Sequence, residues 1–161
     1  MKNILFIAFV GSLLVLSSCA SRKVKDKMTV LQVIATHEYC GGAMPSEELL
    51  EDLNKPKPLS NTKIYIAPNG QETSHIHEYK LDKNGMVNLR LEGTDYRVFL
   101  YNPVEVDKEI KAQSESADAQ DSECLPAWKL LISGDLMIPE EEQEKIEILL
   151  HVICDPCELR P

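Results

Sequence analysis

Cys154-Asp155-Pro156-Cys157 is the spacing in this chain with the most chemistry in it. A Cys-x-Pro-Cys pair can exchange disulfides, supply half of a zinc site, or close a small structural bridge. Exchange needs a thiolate held at a helix N-terminus, whereas this pair ends an apolar strand-like run, so a structural disulfide is expected. His75 and His77 stand two apart. On a strand both would project from one face and could reach one ion, which makes them weak metal candidates. His37 and Cys40 have a ligand-like gap as well. Zinc-thiolate sites belong chiefly to reducing compartments, and a second Cys-x-x-Cys is missing, so no metal and no cofactor is expected. Neither Gly-x-Ser-x-Gly nor a phosphate-binding glycine loop occurs. The acidic run Glu140 to Glu144 lacks EF-hand spacing and reads as a solvated loop. Trp128, with Tyr96 and Phe99, reads as core rather than as a carbohydrate platform. No catalytic residue nominates itself, and the expectation is a protein that is not an enzyme.

The compartment these groups work in is set at the other end. Lys2 precedes an apolar run, Ile4 to Leu16, broken only by Gly11 and Ser12, and Leu16-Ser17-Ser18-Cys19 follows. A positive start, an apolar stretch too short for a comfortable span and small residues before a cleavage point make a secretory signal over residues 1–18. Leu16-Ser17-Ser18-Cys19 resembles the lipobox of bacterial lipoproteins. That resemblance implies cleavage before Cys19 and its acylation by diacylglyceryl and palmitate-type chains, more than one chain being needed for stable anchoring. Ala20 stands where an aspartate would resemble an inner-membrane retention signal, so the resemblance implies the outer membrane. The basic Ser21-Arg22-Lys23-Val24-Lys25 departs from acidic surface-export signals, which points to the periplasmic side. Residues 19–27 read as a tether with some attraction to anionic headgroups.

The formal charge is −9 and falls by one more when Lys2 leaves with the signal. Such acidity excludes nucleic acid as an expected partner, since binding there rests on neutralising phosphates. With Cys19 given to lipid, the five cysteines leave Cys40, Cys124, Cys154 and Cys157. An even set in an oxidising space reads as disulfides, with three possible pairings. The favoured one joins Cys154 to Cys157 and Cys40 to Cys124. In the alternative, each of the last two staples a distant segment.

The elements that must position these groups are mostly strands. Met28 to Tyr39 reads as a strand, broken by Cys40-Gly41-Gly42-Ala43. Ser46 is the expected N-cap of a short helix, with Glu47 and Glu48 in its first turn and Leu49, Leu50 and Leu53 at helical spacing. Pro56 and Pro58 end it. Strands are expected over Lys63 to Ala67, Thr73 to Leu81, Met86 to Leu91 and Tyr96 to Tyr101, with turns at Pro68-Asn69-Gly70, Asn84-Gly85 and Gly93. Asn84-Gly85 between alternating segments is the strongest hairpin signal. Residues 102–123 are polar and poor in large apolar side chains, and read as a mobile acidic loop with a frayed turn near Lys108 to Gln113. Trp128 to Ile132 returns to the core, and Ile146 to Ile153 is a last strand in which Glu147 and His151 weaken the alternation. The expected fold is all-β, one immunoglobulin- or prealbumin-like sandwich over residues 28–161 with one short helix.

Tyr79 to Val98 also resembles the regulatory-domain repeat of carboxypeptidases and transthyretin-like sandwiches, with Asp82, Gly85, Leu89, Leu91, Gly93, Tyr96 and Val98 at the pattern positions. That resemblance implies a non-catalytic sandwich. The long acidic insertion and the cysteines are no part of it. Tyr39-Cys40-Gly41-Gly42 with the terminal Cys154-Asp155-Pro156-Cys157 also looks like small exported lipoproteins of Bacteroidetes of unknown function. The expected role is a lipid-anchored envelope protein, a binding or assembly module for another envelope protein or for glycan. The alternative is a metal-binding or thiol-redox protein using His75 and His77 or Cys154 and Cys157.

Overall fold

Strict alternation organises the longest strand, β1 (Lys27–His37). Thr29, Leu31, Val33 and Ala35 are buried on one face while Met28 stays exposed on the other. The structure is a computed structural model, and it describes residues 27–93, 95–116, 126–139 and 145–156. The signal segment, Cys19, the tether up to residue 26, Cys124, Cys157 and the Glu140 to Glu144 run lie outside the described residues.

The remaining elements are α1 (Glu47–Asn54), β2 (Lys57–Pro58), β3 (Lys63–Pro68), β4 (His77–Lys80), β5 (Met86–Leu91) and β6 (Asp95–Phe99), followed by α2 (Pro103–Ser116), a 3-10 helix (Pro126–Leu131), β7 (Ser133–Met137) and β8 (Lys145–Val152). In one four-stranded sheet β1 is central. β5 and then β2 run antiparallel along one edge of it, and β8 runs parallel along the other. The second sheet has the order β4-β3-β6-β7, all antiparallel. Leu31, Val33, Leu89, Ile148 and Leu150 of the first sheet meet Ile64, Ile66, Tyr96, Val98 and Leu136 of the second in one apolar cluster. Each such side chain contributes roughly 1.5–3 kcal/mol through burial. The fold is thus a mostly-β sandwich, as the alternation predicts.

β8 alternates more strictly than its sequence suggests. Ile148 and Leu150 point inward, and Glu147, Leu149 and His151 are exposed. Thr36 on β1 is paired with His151, Oγ1 to Nδ1 at 3.0 Å. Gly134 on β7 is required by a close approach, since a Cβ there would lie 2.9 Å from Ile148 Cγ2 and 3.1 Å from Leu150 Cδ2.

The structure corrects three expectations. Asn84-Gly85 does not close a hairpin, because β4 pairs with β3 in one sheet and β5 with β1 in the other. The turn itself forms as its residues dictate, with Asp82 Oδ1 accepting from the backbone amides of Asn84 and Met86 at 2.8 Å each. It carries the chain between layers. Next, the supposed loop after residue 102 is helical through Ser116. Asn102 caps it, Oδ1 accepting from Val104 N at 3.0 Å, and Pro103 occupies a first position that needs no amide partner. Burial of Pro103 and Val106, together with the ion pairs Lys111–Asp107 and Lys129–Glu109, orders a segment whose composition is otherwise polar. Lastly, the strand expected from Thr73 begins only at His77, since Ser74 and His75 both donate backbone amides to Gln71 O in a tight turn.

The short helix forms where expected, with Ser46 Oγ accepting from Leu49 N at 3.2 Å. It buries no residue, however, and Leu49 and Leu50 remain exposed. No helix among the described residues is long and apolar enough to cross a membrane.

Candidate functional site

β3 is the floor of a groove because its two faces differ. Ile64 and Ile66 enter the core, while Lys63 and Tyr65 project to the opposite face. Register places Glu78 of β4 beside Tyr65. Lys63 Nζ reaches Glu78 Oε1 at 2.6 Å. The hydrogen bond to Glu78, and then its charge, raise the Lys63 ammonium pKa above its ordinary value.

The start of α2 borders this face, so that hollows open on both sides of Tyr65 and Asn102. One, of about 440 Å³, is lined by His37, Thr62, Lys63, Tyr65, Tyr101 and Glu105 among others. The other, of about 410 Å³, is lined by Tyr65, Thr73, Ser74, Ile76, Glu78, Asn102 and Val104. Tyr65 and Asn102 are common to both. Ligand sites commonly measure about 300–1,000 Å³ and combine aromatic faces with a few placed polar groups. Tyr101 is braced from behind by the edge of Trp128, ring centroids 5.8 Å apart at 73°. Lys129 Nζ stands 5.7 Å from the same ring and is held at 2.6 Å by Glu109 of α2. A wider hollow of about 580 Å³ lies along α1, lined by Glu47, Leu50, Glu51, Asn54, Lys55 and Pro56. It draws on a single short segment and brings no distant residues together.

The residues singled out from sequence are placed differently. Cys154 is bonded to Cys40, with Cα atoms 5.4 Å apart, and not to Cys157 as the favoured pairing had it. The reason is topological. β1 and β8 run parallel with His37 opposite Val152, so the chain leaves both strands side by side. Glu38 fastens the junction, its N–H donating to Val152 O at 2.8 Å and its Oε2 accepting from Cys154 N at 3.0 Å. A bridge closing so long a loop constrains the unfolded chain by about 4–5 kcal/mol on the chain-entropy model. His77 is on β4 and its ring stands 6.4 Å from that of Tyr79, while His75 sits in the preceding turn, so the two do not share a strand face. Among the described residues no group of three or more His, Cys, Asp or Glu side chains could hold a metal ion. Tyr96 and Phe99 are buried as expected. Trp128 is only half-buried, serving as the brace of Tyr101 rather than as core.

Tyr65, Tyr101 and Asn102 were not singled out from sequence. Two signals for them are present, the outward phase of Lys63 and Tyr65 in an alternating strand, and the Asn102-Pro103 start of a helix.

No protein-family model matches the chain, and no curated protein matches it either. Among solved structures, a DUF3823 family protein from Parabacteroides merdae is similar to it at 11% identity with a TM-score of 0.28. That likeness covers 77% of this chain and 46% of the other, so the chain spans less than half of that protein.

Proposed function

We propose that this chain is a lipid-anchored component of a bacterial cell envelope, held through Cys19 in the outer membrane and facing the periplasm. Its immunoglobulin- or prealbumin-like sandwich is, on this reading, a non-enzymatic binding or assembly module for another envelope protein or for glycan. The observation that carries the binding role is the groove across Tyr65. Side chains from three separate parts of the chain converge there, Lys63 and Tyr65 on β3, Glu78 on β4, and Tyr101 with Asn102 ahead of α2. The Cys40–Cys154 bridge supports an oxidising compartment.

Two measurements test this. Cells fed an alkyne fatty acid should label the wild-type chain, and Cys19→Ser should lose the label and leave the membrane fraction. Equal labelling of the variant would overturn the anchor. A photo-crosslinking amino acid at Thr73 should trap a discrete envelope component, and none at the exposed Leu131. Identical patterns at the two positions would remove the groove from the reading.

A further inference from the structure

We infer that the groove takes a neutral, hydroxyl-rich glycan, with at least two sugar rings lying across Tyr65; this rests on the binding-module reading. The first reason is what the floor refuses. β3 is hydrogen-bonded along both edges, to β4 on one side and β6 on the other. A peptide lying over Tyr65 therefore finds no free edge on β3 to pair with, the sheet's nearest open edge being the outer side of β4, and recognition on the floor itself falls to side chains.

Those side chains suit a sugar. One face of a pyranose carries only C–H bonds, so it can cover a tyrosine ring without stranding a polar group. The hydroxyls around its rim then need donors and acceptors beside the ring. Asn102 supplies donors in a fixed direction. Its Oδ1 is committed to Val104 N at 3.0 Å, which leaves the Nδ2 hydrogens of the same carboxamide for a ligand. Glu78 and Lys63, joined at 2.6 Å, set an acceptor and a donor together beside Tyr65. Tyr101 cannot tilt freely, because Trp128 and Lys129 hold it, so less ordering is left to be done on binding.

Charge decides between neutral and acidic ligands. Glu78 and Glu105 outnumber Lys63 among the ionised groups lining the two hollows, and the chain as a whole carries −9. An anionic glycan or a phosphate would meet repulsion at both ranges. Because Tyr65 stands between the hollows, a single ring fills only one of them, and affinity should rise with chain length until both are occupied.

The test uses the full chain in detergent micelles on an array of neutral and acidic glycans, followed by titration of the bound oligosaccharides. Trp128 is the only tryptophan and touches Tyr101, so its emission should report occupancy. The expected result is saturable binding to neutral chains only, with a tetrasaccharide at least tenfold tighter than the matching disaccharide. Tyr65→Ala should weaken it at least tenfold. Asn102→Asp, which keeps the helix cap but loses the amide donors, should weaken it about fivefold. An array on which only acidic glycans bind would overturn the inference, as would neutral binding that Tyr65→Ala leaves unchanged. If no glycan binds while the Thr73 crosslink still traps an envelope protein, the glycan inference falls and the binding module stands. If both fail, both fall.

Discussion

Two Asn-Gly turns of this chain share a left-handed glycine and are opposites in surroundings. Gly70 and Gly85 both adopt left-handed backbone, φ +80° and +72°. Around Gly70 there is open space, and a Cβ added there would meet nothing within 4 Å. A Cβ on Gly85 would lie 2.6 Å from Val33 O and 3.0 Å from Leu59 N. Gly85 is wedged where β5 stops and β2 takes over along the edge of β1. Its carbonyl accepts from Val33 N at 2.8 Å, and Leu59 N donates to Val33 O at 3.0 Å. One dipeptide therefore marks an outer loop in one place and the seam of a sheet in the other. Local sequence chooses the backbone conformation, and the fold decides how much rests on it.

Substitutions can break that comparison. Gly85→Ala should be the most damaging, costing on the order of 3 kcal/mol, because backbone strain and collision with fixed backbone atoms add; urea unfolding would measure it. Asp82→Ala should cost about 1–2 kcal/mol in the same assay, since the amides of Asn84 and Met86 lose their shared acceptor. Gly70→Ala should cost only about 1 kcal/mol, the conformational share alone. Equal losses at Gly70 and Gly85 would show that conformation and not the neighbours sets the cost. The smallest effect belongs to Glu72, which caps the outer turn by accepting from Gly70 N at 3.0 Å. Bonds from its own amide and from that of Gly70 hold its carboxyl pKa below the ordinary value. Its contribution is present above the unfolded-state pKa and is lost as pH falls through the lower folded one. Glu72→Gln should therefore cause a small loss of thermal stability at neutral pH that fades in acid, making the acid-side decline slightly shallower.

What could be read from sequence follows the same division between local and long-range causes. β1, β3, β5 and β6 declare themselves by alternation, and Ser46 with Glu47 and Glu48 declares α1. These signals are local. The assignment of β4 and β5 to different sheets is not, because Asp82 to Gly85 makes the same hydrogen bonds in a hairpin or in a crossover. The parallel pairing of β1 with β8 spans more than a hundred residues, and the Cys40–Cys154 bridge follows from that pairing rather than from any spacing of cysteines. α2 was legible at Asn102-Pro103 and was masked by the polar composition behind it. The groove was legible in part. Tyr65 faces outward by phase alone, but only the assembled sheet sets Glu78 beside it and α2 over its end.

The parallel pairing of β1 and β8 has a mechanical consequence. A pull on the chain ahead of Lys27 acts along the axis of β1, whose partners on both edges are joined to it by bonds lying across that axis. Such a load shears the ladder, so its bonds must yield together and not one after another as in an unzipping strand. Past His37 the strain passes through Cys40 to Cys154 and so to the far end of β8. A domain loaded in this way keeps its shape until the whole ladder gives way.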